Sequence, residues 1–263
     1  MSSEVPTALP SGLRRWVSEA TVVPSDGPDA RRPPPLVHLP DVATSLIFRT
    51  ATATAPYGDL LVAGPRTRAS YYAGKDLPPC LRIRLRPGVA RALLGVSVSE
   101  LVDRVVPFGE RVSADPQRVL SDLEATLSAR FAAQTNADQS RADLVRAAAE
   151  ALAPPDRPAL PDLARRLAIS ERHLRALFAD AVGLPPKRFE RIARVRRVLA
   201  HGGARTPRWA QFAAATGYYD QSHMTAEFHT MMGVPPAAFF AGRLPPLLPC
   251  HVTSPASGAS ERT

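Results

Sequence analysis

Guanidinium groups carry most of the recognisable chemistry in this 263-residue chain. The run Leu81-Arg82-Ile83-Arg84-Leu85-Arg86 alternates apolar side chains with arginine, the period-two pattern of a half-buried strand. Arg82, Arg84 and Arg86 therefore share one face, where three forks can take an anionic effector. The competing reading is an ordinary solvated strand face. A second set lies on helices. From Glu171 to about Val182, burying Leu174, Leu177 and Phe178 leaves Arg172, His173, Arg175 and Ala176 outside. From Gln221 to Met232, burying Met224 and Phe228 leaves Gln221, Ser222, Thr225 and Ala226 outside. Ser170 and Asp220 precede these helices as N-caps.

Catalytic and metal chemistry is poorly represented. Gly74-Lys75 resembles a phosphate loop only in part, because Ala69 and Asp76 stand where that motif needs Gly and Ser/Thr. No Gly-x-Ser-x-Gly elbow and no HExxH run occurs. Cys80 and Cys250 form no ligand spacing, which argues for a reducing cytoplasm and against structural zinc. We therefore expect no catalytic residue, cofactor or metal.

The elements that must position these side chains follow from periodicity and punctuation. Leu160–Ala168 reads as a short helix, interrupted at Ile169-Ser170 and followed by the helix that Gly183 ends. Helix, tight turn, helix with a basic exposed face is a helix-turn-helix pattern. A long helix follows Pro185-Pro186, with Phe189, Ile192, Val195, Val198 and Leu199 as its apolar stripe. Lys187, Arg188, Arg191, Arg194, Arg196 and Arg197 surround that stripe. About fifty residues on the pattern recurs: Trp209, Phe212, Ala213 and Ala214, then Gly217, a turn, Gln221–Met232, Gly233, Pro235-Pro236 and an early Phe239. Such a duplication is more specific than charge.

Upstream, 36–88 reads as short strands and 89–152 as helices, giving an α+β fold: a strand-rich N-terminal region followed by helices, and an all-α C-terminal part. Pro154-Pro155 marks the boundary. The Pro-rich 1–35 is expected to be a disordered arm and 244–263 a disordered tail, with 36–152 a sensory or dimerisation domain and 155–243 the C-terminal domain.

The formal net charge is +9. Residues 154–245 hold fourteen Lys/Arg against seven Asp/Glu, whereas 1–153 hold eighteen against sixteen. The excess sits at the C-terminal end, where a polyanion would exchange counterions for it. No apolar run is long enough to span a membrane, and no secretory signal is evident.

The run Gly217-Tyr218-Tyr219-Asp220-Gln221-Ser222-His223-Met224, then Phe228, Gly233-Val234-Pro235-Pro236 and Phe239-Phe240, resembles the signature of AraC/XylS bacterial transcription regulators. Leu163-Ala164, Ser170, His173-Leu174, Leu177-Phe178, Gly183, Pro186, Phe189, Arg194 and Arg197 match its first unit. Tyr218 and Met224 stand where the family has Phe, and Trp209 where it has Ile or Val, so the core stays apolar. The segments around Leu39-Pro40-Asp41, Val62–Pro65, Arg84–Gly88 and Val105–Pro107 resemble an uncharacterised domain found upstream of this one in actinobacterial regulators.

The resemblance implies double-stranded DNA as partner, with two recognition helices in successive major-groove segments. Carried over by position, Arg172, Arg175 and Ala176 meet bases from the first helix, and Gln221, Ser222 and Thr225 from the second. An arginine fork suits guanine O6 and N7, and a glutamine suits adenine N6 and N7. Ser170 and the helix-start amides suit phosphate, and Arg194 is the linker-helix candidate for it. His173 and His223 read as packing or hydrogen-bonding histidines rather than base contacts, and Asp220 as a cap. RNA polymerase, a small-molecule effector and a homodimer are the further partners the resemblance admits. Membrane is not among them.

Overall fold

The computed structural model describes residues 5–23, 35–50, 55–74, 80–109, 112–202 and 209–249. Nine strands are described: β1 (Val5–Pro6), β2 (Val17–Val23), β3 (Leu36–His38), β4 (Ser45–Thr50), β5 (Tyr57–Ala63), β6 (Ser70–Tyr72), β7 (Cys80–Leu85), β8 (Val105–Pro107) and β9 (Val112–Ser113). All but β3 and β6 form one antiparallel sheet in the order β1-β2-β7-β4-β5-β8, with β9 also on β5. β3 and β6 pair separately. The helices described are α1 (Val89–Leu94), α2 (Pro116–Ala132), α3 (Asn136–Leu152), α4 (Leu160–Arg166), α5 (Glu171–Val182), α6 (Pro186–His201), α7 (Trp209–Ala215), α8 (Gln221–Met232) and α9 (Pro236–Phe240). The fold is α+β, with the strands upstream and the C-terminal part helical.

The alternation in β7 sorts as expected. Leu81, Ile83 and Leu85 are buried, on a face shared with Leu46, Phe48 and Val62. Val119, Leu120, Leu123 and Leu127 of α2 close over that face.

The expected disordered ends need correcting. Residues 11–15 form a 3-10 turn, and β2 runs the length of β7. Leu13, Trp16, Val17 and Ala20 are buried in the sheet's core, and this apolar area anchors residues 11–23. At the other end, the Leu248 amide donates to the Tyr71 carbonyl at 2.8 Å, and Leu248 accepts from Ala73 at 2.9 Å. The remaining calls on 1–4, 24–34 and 250–263 lie outside the described residues.

Two further cores cross the expected boundary at residue 154. In one, Val145, Ala148, Ala149 and Leu152 of α3 pack with Leu163, Leu174, Phe178 and Phe189 of the C-terminal part. In the other, Tyr71 of β6 joins Ile192, Val195, Met224, Phe228 and Met232. The apolar stripes of α2 and α3 are thus both used within the chain.

Candidate nucleic-acid interface

Both helix-turn-helix units are closed by the same backbone device. Ala168 lies in the left-handed region at φ 54°, and the next amide, Ile169, donates to the Ala164 carbonyl at 3.1 Å. In the second unit Gly217 sits at φ 85°, and Tyr218 donates to Ala213 at 3.0 Å. Each bond satisfies a carbonyl that the ending helix would leave open. Ser170 Oγ then accepts from the His173 amide at 3.1 Å, and the Asp220 carboxylate from the His223 amide at 2.7 Å, starting α5 and α8. Gly183 and Gly233, at φ 81° and 73°, end them.

These caps fix the outward faces. On α5, Arg172, Arg175 and Ala176 are exposed above buried Leu174 and Phe178. Among the described residues Arg172 has no ion pair, while Arg175 pairs with Glu171 one turn back. That pair is solvent-exposed and easily exchanged for another partner. On α8, Gln221 and Ser222 are exposed and Thr225 is half-buried, above fully buried Met224 and Phe228. His173 is exposed rather than packed. His223 is exposed too, but its ring meets Tyr218 edge-on at 5.3 Å. Tyr219, in the turn before α8, is 93% exposed. Its sequence signal is a large aromatic side chain with no large apolar residue three or four positions away.

Arg194, expected to reach phosphate, is instead turned inward. It is buried, and its Nε and Nη2 donate to the two carboxylate oxygens of buried Glu227 at 3.0 and 2.9 Å. Arg191 Nε donates to the same carboxylate at 2.8 Å. Burial alone would raise the Glu227 pKa, but the hydrogen bonds from Arg194 and Arg191 outweigh it and hold the carboxyl below its ordinary range. The Arg194 guanidinium lies 5.2 Å from the Tyr218 ring centre. Burial, with Glu227 adding to it, pushes the Tyr218 phenol up. Arg196 and Arg197 of the linker helix are also occupied. Arg197 donates to the carbonyls of Thr216 and Ala153. Arg196 pairs with Asp41 at 3.2 Å. These cations fasten α6 to its neighbours, while Lys187 and Arg188 at its start stay exposed. A groove of about 630 Å³ between α6 and α8 is lined by Arg157, Lys187, Arg191 and His223.

Nor do Arg82, Arg84 and Arg86 converge. Arg84 makes a two-pronged contact with Asp41, one bond at 2.6 Å, and Asp41 also holds Arg196. Arg82 faces His38, whose pKa burial pushes down to about 4, helped by Arg66 and then Arg82. Arg86 lies past the end of β7 and donates from Nε to the Arg14 carbonyl at 2.9 Å. The shared face is real, but Asp41 claims its middle member for a joint between the strands and α6. The proposed three-arginine effector site is therefore corrected.

Among the described residues no His/Cys/Asp/Glu group is placed to hold a metal, and no helix is long and apolar enough to cross a membrane.

Residues 163–242 match a family model described as a helix-turn-helix domain. No curated protein matches the chain. Among solved structures, the chain is similar to the DNA-binding domain of AdpA, a global transcriptional factor crystallised with a target DNA (22% identity, 39% of this chain and 91% of that one, TM-score 0.34). It is similar to an AraC-type regulator from Chromobacterium violaceum (20% identity, 41% and 96%, TM-score 0.35). It is also similar to ToxT from Vibrio cholerae (11% identity, 84% and 96%, TM-score 0.42).

Proposed function

We propose that the chain is a DNA-binding transcription regulator of the AraC type, which reads sequence through α5 and α8 of the segment 163–242 that matches the helix-turn-helix family model. The observation that supports this reading is the repeated turn and cap, which leaves Arg172, Arg175 and Ala176 outward on one helix and Gln221, Ser222 and Thr225 on the other. Arg175 exchanges Glu171 for a guanine edge, and Gln221 takes an adenine edge. Ser170, the amides at the start of α5, and Lys187 meet phosphate. The DNA-binding unit is 155–243 together with α3. The upstream part modulates it, in the cytoplasm, with or without a homodimer and RNA polymerase as partners.

Sequencing DNA fragments selected by the purified chain tests the reading. Arg175→Ala should relax one or two base positions, at about 1–3 kcal/mol for a two-bond contact, and Gln221→Ala should relax different ones. Selected motifs identical to those of the parent chain would remove the base-reading roles.

A further inference from the structure

The turn of the second helix-turn-helix unit is one residue longer than that of the first, and the extra residue is Tyr219. Only Ile169 stands between left-handed Ala168 and the cap Ser170, whereas Tyr218 and Tyr219 both stand between Gly217 and the cap Asp220. Ile169 and Tyr218 are counterparts. Each donates its amide to a carbonyl five residues back, Ala164 and Ala213, and each turns inward, Ile169 half-buried and Tyr218 buried. Tyr219 has no counterpart in the first unit. It is 93% exposed, so its ring forgoes the burial that usually accounts for an aromatic side chain. Its backbone is fixed on both sides, by the Tyr218 turn bond at 3.0 Å and by the Asp220 cap on His223 at 2.7 Å. The phenol is therefore held out at the start of α8, the end that carries exposed Gln221 and Ser222.

Charge separates the two units as sharply. Helices α4 and α5 carry Arg165, Arg166, Arg172 and Arg175, all exposed. Residues 209–242 contain no lysine or arginine, and two acids, Asp220 and Glu227. Asp220 takes up an amide at the start of α8 and sets a negative charge there, so a phosphate is repelled from the place that suits it on other helices. Ser170, the cap at the same place on α5, is neutral. Anchoring of a polyanion beside α8 therefore falls to neutral donors that reach past the cap, and a tyrosine hydroxyl is one.

We propose that the Tyr219 hydroxyl donates a hydrogen bond to a backbone phosphate of the duplex, beside the half-site read by α8; this rests on the DNA-reading role given above to α5 and α8. The two units then hold DNA by different physics. Cations of the first displace counterions and make its share of the affinity fall with salt, whereas a phenol displaces none. The contact fixes the register of α8 on the backbone and leaves the choice of bases to Gln221, Ser222 and Thr225.

Binding of the full chain to a duplex drawn from its selected sequences, measured across a salt series, tests the contact. Tyr219→Phe removes only the oxygen. It should bind about tenfold more weakly at every salt concentration, as loss of a hydrogen bond to a charged group implies. Its salt slope, selected sequence and melting temperature should be those of the parent. Tyr219→Ala should bind as Tyr219→Phe does. Ethylation of one phosphate beside the second half-site should weaken the parent and leave Tyr219→Phe unaffected. Equal affinity of Tyr219→Phe and the parent would overturn the contact. So would a Tyr219→Ala much weaker than Tyr219→Phe, which would make the ring the contact, and so would an altered selected sequence, which would make Tyr219 a base reader. A parent chain that selects no sequence would overturn the DNA-reading role itself, and the contact with it.

Discussion

Arg194→Ala and Arg175→Ala should fail in different measurements. Arg194 neutralises a buried carboxylate, so its loss leaves Glu227 with Arg191 alone and should destabilise the chain by about 3 kcal/mol in urea denaturation. Base selectivity should be kept in the protein that remains folded. An unshifted midpoint with uniformly weaker DNA binding would restore Arg194 to the phosphate contacts. The sequence did not separate these arginines because the spacing of 191, 194 and 197 around an apolar stripe is the same for paired and solvated cations. The usable signal was on the partner: Glu227 stands beside Phe228 and three residues after Met224, on a buried arc of α8 where a lone acid must find a cation. His38 gives a pH test at the same scale. Its pKa is pushed down to about 4 in the folded chain from 6.5, by burial first and then by Arg66 and Arg82. Its contribution is thus complete above pH 6.5 and is lost as pH falls towards 4, by about 3 kcal/mol in all. Melts at pH 7.5 and pH 5 should differ more for the parent than for His38→Gln, and equal differences would mean that His38 titrates freely.

The two helix-turn-helix turns make the same bond at the same offset, but one uses alanine where the other uses glycine. An L-residue at positive φ costs about 1 kcal/mol that glycine avoids. Ala168→Gly should therefore be neutral to stabilising, by up to about 1 kcal/mol, and Gly217→Ala destabilising by at least as much. A Cβ at 217 would also stand 3.3 Å from Arg197 and Pro155. Melting temperatures read both, and a loss in Ala168→Gly would show that the alanine methyl is packed. Elements of this kind were legible. Caps, glycine stops and the stripes of α5, α6 and α8 are local, so adjacent residues report them. β2 was not, because its strand character depends on β7, some sixty residues away, and prolines flank it on both sides.

The molecule is divided less cleanly than its prolines suggest. Pro154-Pro155 breaks the chain between α3 and α4, yet α3 lies across the break in the core of the first helix-turn-helix unit. A fragment of residues 155–244 would expose Leu163, Leu174 and Phe178, whereas one of residues 136–249 covers them with Val145, Ala148 and Leu152. The longer fragment should unfold cooperatively and bind selected DNA with a steep salt dependence, and the shorter should melt broadly or aggregate. Equal melting of the two would mean that α3 is dispensable. A boundary read from proline breaks reports where the chain bends; which core a helix joins depends on contacts that no local pattern encodes.

The strand β6 holds the far end of α8: the Ala69 amide donates to the Met231 carbonyl at 2.7 Å and the Tyr71 hydroxyl to that of Met232 at 2.6 Å. The end of α5 is held elsewhere, by Arg91 on Asp180 at 2.7 Å and by Gly183 lying against the Val98 carbonyl. One upstream body therefore grips α5 and α8 at separate points; on the proposed DNA-reading role it acts as a calliper, setting their span and phase along a duplex. Each inserted base pair moves one half of a binding site by about 3.4 Å and turns it by roughly 34°. With the calliper in place, an extra base pair between the half-sites should cost the full chain steeply. The fragment of residues 136–249, with α5 and α8 joined only through α6, should tolerate it better, and binding across a library of spacer lengths measures the difference.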